Sequence, residues 1–148
     1  MNNFAERKGI IMAGGHGTRL APVTASVNKH LLPVYNKPMI FYPLSNMIQA
    51  GIKEIALICN AEDIALYKTL LGNGKRWNID LSYLSQPEAG GIAQGLLIAE
   101  DFLNSAPSMM ILGDNVFHGE MMPALFRQAG SDVTGATIFS YYVRDPKR

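Results

Sequence analysis

The sequence holds a single cysteine, Cys59, a single tryptophan, and few charged residues, 17 % of the whole. One cysteine excludes an internal disulfide framework and any multi-cysteine zinc site. No uninterrupted apolar run approaches the roughly 18 residues of a membrane span. The opening stretch, Met1 to Lys8, carries Glu6, Arg7 and Lys8 and does not read as a signal peptide. The most telling absence is of acid. Between Arg7 and Lys53 there is no Asp or Glu, although Arg7, Lys8, Arg19, Lys29, Lys37 and Lys53 all fall there. Residues 54–148 reverse the balance, with eleven acids against seven bases, so a net charge of +1 conceals two opposite halves. A stretch free of carboxylates suits a compact polyanion, because nothing in it repels one. The bases are too scattered, and the pI of about 7.9 too low, for a nucleic-acid partner.

What is present is core material. With 148 residues, 48 % of them apolar, the chain suits one globular domain. The expectation is a cytoplasmic protein with no membrane partner.

Short apolar runs alternate with longer stretches of helical character. Gly9–Ala13, Ile55–Cys59 and Met109–Leu112 are continuous and apolar, the pattern of strands buried on both faces. Leu81–Leu84 is a shorter candidate, and Thr134–Val143 a further run rich in β-formers. Between them, Met39–Ala50 predicts a helix, with Pro38 suited to its first position and Gly51 to the cap after its end. Glu62–Leu71, Gly91–Leu103 and Met121–Gln128 predict three more. Strands alternating with helices imply a parallel sheet covered on both faces. In such sheets ligands sit beyond the carboxyl ends of the strands, where the strand order reverses.

After the first run comes Gly14-Gly15-His16-Gly17-Thr18-Arg19. A dinucleotide fingerprint needs a third glycine where Leu20 stands, and the one Gly-Lys pair, Gly74-Lys75, is followed by Arg76 rather than a hydroxyl. Both familiar phosphate loops are excluded. There remains a glycine turn whose amides can cradle an anion, carrying a hydroxyl at Thr18 and, at Arg19, a guanidinium that binds phosphate with two parallel hydrogen bonds. Lys29 follows ten residues later as a compact point charge. The competing reading is an ordinary turn with solvated bases.

Gly113-Asp114-Asn115 closes an apolar run, a place for a Mg²⁺ carboxylate ligand; on the residues alone a simple turn fits equally. Gln86, after Leu81–Leu84, offers the donor and acceptor that would match the imide edge of thymine or uracil, and Gly90-Gly91 allows close backbone approach. A surface glutamine beside Pro87 fits the residues as well. His16, His30 and His118 share no metal-ligand spacing and read as loop residues. Cys59 reads as an inert core thiol.

Taken in order, Ala13-Gly14-Gly15-His16-Gly17-Thr18-Arg19-Leu20-Ala21-Pro22-Val23-Thr24, then Asn28-Lys29, Leu32-Pro33-Val34 and Lys37-Pro38 resemble the signature of sugar-1-phosphate nucleotidyltransferases. The text Leu31 to Ile40, with Tyr42-Pro43-Leu44 and Leu112-Gly113-Asp114-Asn115-Val116-Phe117, is similar to those members that join dTTP to glucose 1-phosphate. The resemblance runs from Lys8 to Arg148. It implies a three-layer α/β sandwich with a mostly parallel, Rossmann-like sheet, Mg²⁺ as cofactor, and dTDP-glucose and pyrophosphate as products. It places the nucleotide on Gly14, Gly15, Gly17, Thr18, Arg19 and Lys29, with Arg19 and Lys29 as the catalytic cations. It puts Mg²⁺ on Asp114, Asn115 near the sugar, and Gln86 and Gly91 at the base. His30 stands where that family more often has glutamine. Members of the family are longer than this chain. Residues 1–148 are therefore expected to be the nucleotide-binding part of the domain without its C-terminal part, poorly active alone and homo-oligomeric at full length. Other readings are a relative acting on another base or sugar, and a nucleotide-binding module without turnover.

Overall fold

The computed structural model describes residues 7–15, 17–88, 90–131 and 134–145; His16 lies outside them. In chain order the regular elements are β1 (Lys8–Met12), the short strands β2 (Pro33–Val34) and β3 (Lys37–Pro38), α1 (Phe41–Gln49), β4 (Glu54–Cys59), α2 (Ile64–Leu71), β5 (Asp80–Ser85), α3 (Gly91–Ile98), α4 (Glu100–Leu103), β6 (Ser108–Leu112) and α5 (Met122–Ser131). Four strands form one parallel sheet in the order β5-β4-β1-β6, and β2 pairs with β3 as a small antiparallel hairpin. The strand order reverses at β1, whose next partner in sequence lies on one side and whose last lies on the other.

The apolar runs become strands because both sheet faces are covered. Ile10 and Ile11 point to opposite faces and neither is exposed. Ile11 joins Leu44 and Met47 of α1, Tyr67 and Leu71 of α2, and Phe126 of α5 in one core. Ile10 and Met12 meet Ile58 and Ala99 in a second, smaller one, against which Ile98 and Leu103 pack. Each such buried aliphatic side chain contributes about 1.5–3 kcal/mol. Three layers result, as the alternation of strand and helix predicts.

Three sequence expectations are corrected. Pro38 belongs to β3, and α1 begins at Phe41. Pro43 then falls in the first turn, where its missing N–H leaves no hydrogen bond broken. The helix ends at Gln49, with Ala50 as its cap and Gly51, at φ +92°, after it. The stretch Gly91–Leu103 is two helices with Ala99 between them. Thr134–Val143 forms no strand among the described residues. Phe139 is held edge-to-face against Phe117 and Phe126, at 6.4 and 5.2 Å between ring centroids, while Ile138, Tyr141 and Tyr142 are exposed. High β-propensity without a strand to pair with does not make a strand.

β1 is in step with its neighbours, Met12 standing opposite Ile58 on one side and Leu112 on the other. The ladder runs on past the strand ends: Ala13 N–H donates to Ile58 O at 2.7 Å, and Gly113 N–H to Met12 O at 2.7 Å. The loops after β1 and β6 therefore leave the sheet at one level. A Cβ on Gly113 would lie 2.9 Å from Met12 O and 2.7 Å from His30 Cδ2. Since the first of these is backbone in the sheet, Gly113→Ala is expected to cost about 2 kcal/mol, read as a lower midpoint in urea with unchanged slope. A midpoint equal to that of the parent would show that the seam can open.

Candidate functional site

The strand exits of β1 and β6 frame a cleft of about 210 Å³, whose walls include Gly14, Gly15, Lys29, His30, Gln86, Gly91 and Asp114. Six of the residues singled out from sequence thus share one hollow at the reversal of strand order. Its centre is an ion pair: Lys29 Nζ donates to Asp114 Oδ2 at 2.6 Å. Lys29 sits in a 3₁₀ turn, Lys29–Leu31, and Asp114 follows Gly113 after β6. Partial burial works against ionisation of Asp114, but the hydrogen bond and charge of Lys29 outweigh it and hold the carboxyl below its usual range.

The glycine loop folds closely over these groups. A Cβ on Gly14 would stand 2.5 Å from Gln86 Oε1. Gly15, at φ +96°, donates its N–H to Asn60 Oδ1 at 3.3 Å. Gly17, at φ +59°, has Thr24 and Lys29 packed where a side chain would begin, at 3.1 and 3.2 Å. Glycine answers a positive φ at the last two and a close approach at the first. Beyond Gly17, Thr18–Leu20 is an exposed 3₁₀ turn. Thr18 lines a neighbouring hollow of about 420 Å³ that touches the cleft at Gly15. Arg19 is exposed and makes no hydrogen bond or ion pair with the described residues. Asn115 is half-buried outside the cleft wall, its N–H on Leu112 O at 3.0 Å.

Gln86 is 6 % exposed, not a surface residue, and its Nε2 donates to Gln94 Oε1 at 2.8 Å. The same Gln94 oxygen accepts from Gly90 N–H at 3.1 Å, tying the turn before α3 to the end of β5. Gln94 has no motif of its own in the sequence; only its place one helical turn after Gly90-Gly91 could have marked it.

His30 departs most from expectation. It is buried, and both its N–H and its Nδ1 lie on Asn28 Oδ1, at 3.0 and 2.8 Å. Asn28 Nδ2 donates to Asp63 Oδ2 at 2.7 Å, so the amide oxygen must face the ring and Nδ1 must bear the proton. Burial first, and the Lys29 charge second, lower the imidazole to about 4, so it is neutral at physiological pH. Cys59 is fully buried, and desolvation pushes its thiol up to about 12, the inert state expected of it.

Among the described residues no group of three or more His, Cys, Asp or Glu could enclose a metal ion. A lone, partly exposed carboxylate suits only a cation that takes its other ligands from phosphate oxygens and water, as Mg²⁺ does. Nor is any helix among the described residues long and apolar enough to cross a membrane.

An open parallel sheet with a glycine loop, a lysine and a carboxylate at its switch point defines an anion-receptive, doubly wound α/β domain. The model of the nucleotidyl transferase family matches residues 8–148, and the chain belongs to that family. It is 50 % identical over 145 residues to a glucose-1-phosphate thymidylyltransferase of Xanthomonas campestris, covering 98 % of this chain and 49 % of that protein. The enzyme of the same name from Mycolicibacterium smegmatis is 44 % identical, over 94 % of this chain and 48 % of its own length. Among solved structures, one named for the same activity, from Bacillus anthracis and in complex with sucrose, superposes with a TM-score of 0.75 at 41 % identity. It covers 80 % of this chain and 48 % of that one. The chain spans about half the length of the curated relatives it matches.

Proposed function

We propose that this chain supplies the nucleotide-binding part of a glucose-1-phosphate thymidylyltransferase, joining dTTP and glucose 1-phosphate into dTDP-glucose with release of pyrophosphate. The observation that carries this reading is the Lys29–Asp114 pair, at 2.6 Å, set beneath the glycine loop at the switch point. Identity of 40–50 % to enzymes of that name supports the choice of base and sugar.

The reaction needs positioning and charge neutralisation rather than a protein nucleophile. An oxygen of the sugar phosphate forms a bond to the α-phosphorus of dTTP while the bond to the pyrophosphate oxygen breaks in line. The amides of Gly14 and Gly17 and the hydroxyl of Thr18 hold phosphate oxygens, and Gly15, whose own N–H is taken by Asn60 Oδ1, lets the backbone come close to them. Arg19, exposed and without a protein partner among the described residues, closes on the β,γ-phosphates and the departing pyrophosphate. Lys29 holds the α-phosphate or the sugar phosphate. Gln86 and Gly91 read the thymine edge, and Asn115 lies toward the sugar. Asp114 would hold Mg²⁺, which when bound would supply positive charge against the phosphate oxygens, while Lys29 keeps one of its three N–H donors on Asp114 and has the others for the nucleotide.

The test is calorimetry of this chain with dTTP, UTP, CTP and ATP in the presence of Mg²⁺. Tightest binding to dTTP is expected. Preference for another nucleotide would reassign the base, and no nucleotide binding would remove the reading. Arg19→Ala is expected to weaken dTTP about tenfold, the worth of one charge-assisted contact. Because the side chain is exposed, its melting temperature should stay within about two degrees of the parent's. Undiminished affinity would release Arg19 from this role.

A further inference from the structure

Asp63 ends the 3₁₀ turn Ala61–Asp63 just before α2, and its carboxylate makes no capping bond to that helix. It is 9 % exposed and turned instead toward two asparagines. Oδ2 accepts from Asn28 Nδ2 at 2.7 Å and from Asn60 Nδ2 at 3.0 Å. Each amide oxygen, fixed by that orientation, then holds one bank of the cleft. Asn60 Oδ1 takes the N–H of Gly15 in the glycine loop. Asn28 Oδ1 takes the N–H and Nδ1 of His30, next to Lys29, and the hydroxyl of Tyr67 at 3.3 Å. One buried oxygen thus sets the orientation of two side chains that serve segments lying far apart in sequence.

We propose that Asp63 is a positioning residue for phosphate binding, locking the glycine loop and the Lys29 turn into one geometry through Asn60 and Asn28. This rests on the phosphate site proposed above, and makes a claim of opposite sign to simple electrostatics. A carboxylate behind a polyanion site repels its ligand, so Coulomb's law alone has Asp63→Ala tightening phosphate binding. If the residue works by orientation, its removal loosens both banks and weakens binding. The function needed is that of an acceptor oxygen, not a charge, so Asp63→Asn, which can present its amide oxygen to both asparagines, retains it.

The experiment measures affinity for inorganic tripolyphosphate with Mg²⁺, and amide hydrogen exchange, on the 148-residue chain and its variants. Asp63→Ala is expected to bind about tenfold more weakly, and Asp63→Asn within about threefold of the parent. In Asp63→Ala the amides of Gly15 and His30 should exchange faster while those of Ile55–Ile58 in β4 keep their protection. A merely structural role would change protection in β4 together with the loops. Equal or tighter binding by Asp63→Ala, or unchanged exchange at either amide, overturns the proposal. Should the parent chain bind no tripolyphosphate, the phosphate site itself falls, and exchange at Gly15 and His30 alone decides whether Asp63 orders the two segments. If Asp63→Ala does not fold, Asp63→Ser, too short to reach both amides, is read by the same two measurements.

Discussion

Lys29→Gln is expected to weaken dTTP binding on the order of 100-fold, equivalent to about 2.7 kcal/mol. Charge-assisted hydrogen bonds reach that size when the ligand is anionic and the group is held in place. Lys29 is so held: its side chain is 23 % exposed, lies under Gly17 and is bonded to Asp114. The substitution also strips Asp114 of the partner that keeps its carboxyl low, so the Asp114 titration should move up toward the usual carboxylate range. Two measurements check this: calorimetry with dTTP, and the carboxyl signal of Asp114 followed by NMR against pH. Near-parental affinity would show that the lysine serves only the ion pair. An unmoved titration would show that the pair contributes nothing to the site's charge.

The second large effect is on stability below neutrality. His30 takes up its proton at about 4 in the folded chain, against 6.5 for an exposed histidine. Between those values the unfolded chain binds a proton that the folded chain refuses, so stability is complete above pH 6.5 and declines as pH falls toward 4. The span corresponds to about 3 kcal/mol. His30→Gln keeps a donor for Asn28 Oδ1 and removes the titrating group, so the urea midpoint should change much less over that range. An equally steep decline in both proteins would place the acid sensitivity elsewhere.

The strands were legible because burial on both faces leaves a mark in one dimension. Gly9–Ala13 and Ile55–Cys59 are apolar throughout, and each lies within one or two residues of the observed strand. The cleft was legible for a related reason. Gly14, Gly15, Lys29 and Asp114 follow or neighbour strand ends, and a parallel sheet gathers strand ends at one edge. Thr134–Val143 shows the limit: its composition states a preference, but pairing requires a partner that composition cannot name. His30 shows another. Its burial depends on Asn28 beside it and Asp63 more than thirty residues away, and no spacing rule connects them. The hidden glutamine pair Gln86–Gln94 is of the same kind. Motif reading finds residues that face a ligand and overlooks those that hold such residues still.

The bond from Gly113 N–H to Met12 O, with β1 and β6 in step behind it, has a bearing on redesign. At the roots of the glycine loop and of the acid the gauge is that of neighbouring strands, about 4.8 Å, and it is set by backbone hydrogen bonds. Gln86 and Gly91 hang from β5 and α3, two strands away from that seam. Under the proposed function the two are nonetheless not independent: a Cβ on Gly14 would stand 2.5 Å from Gln86 Oε1 and both line one cleft, so refitting the base wall disturbs the phosphate grip as well.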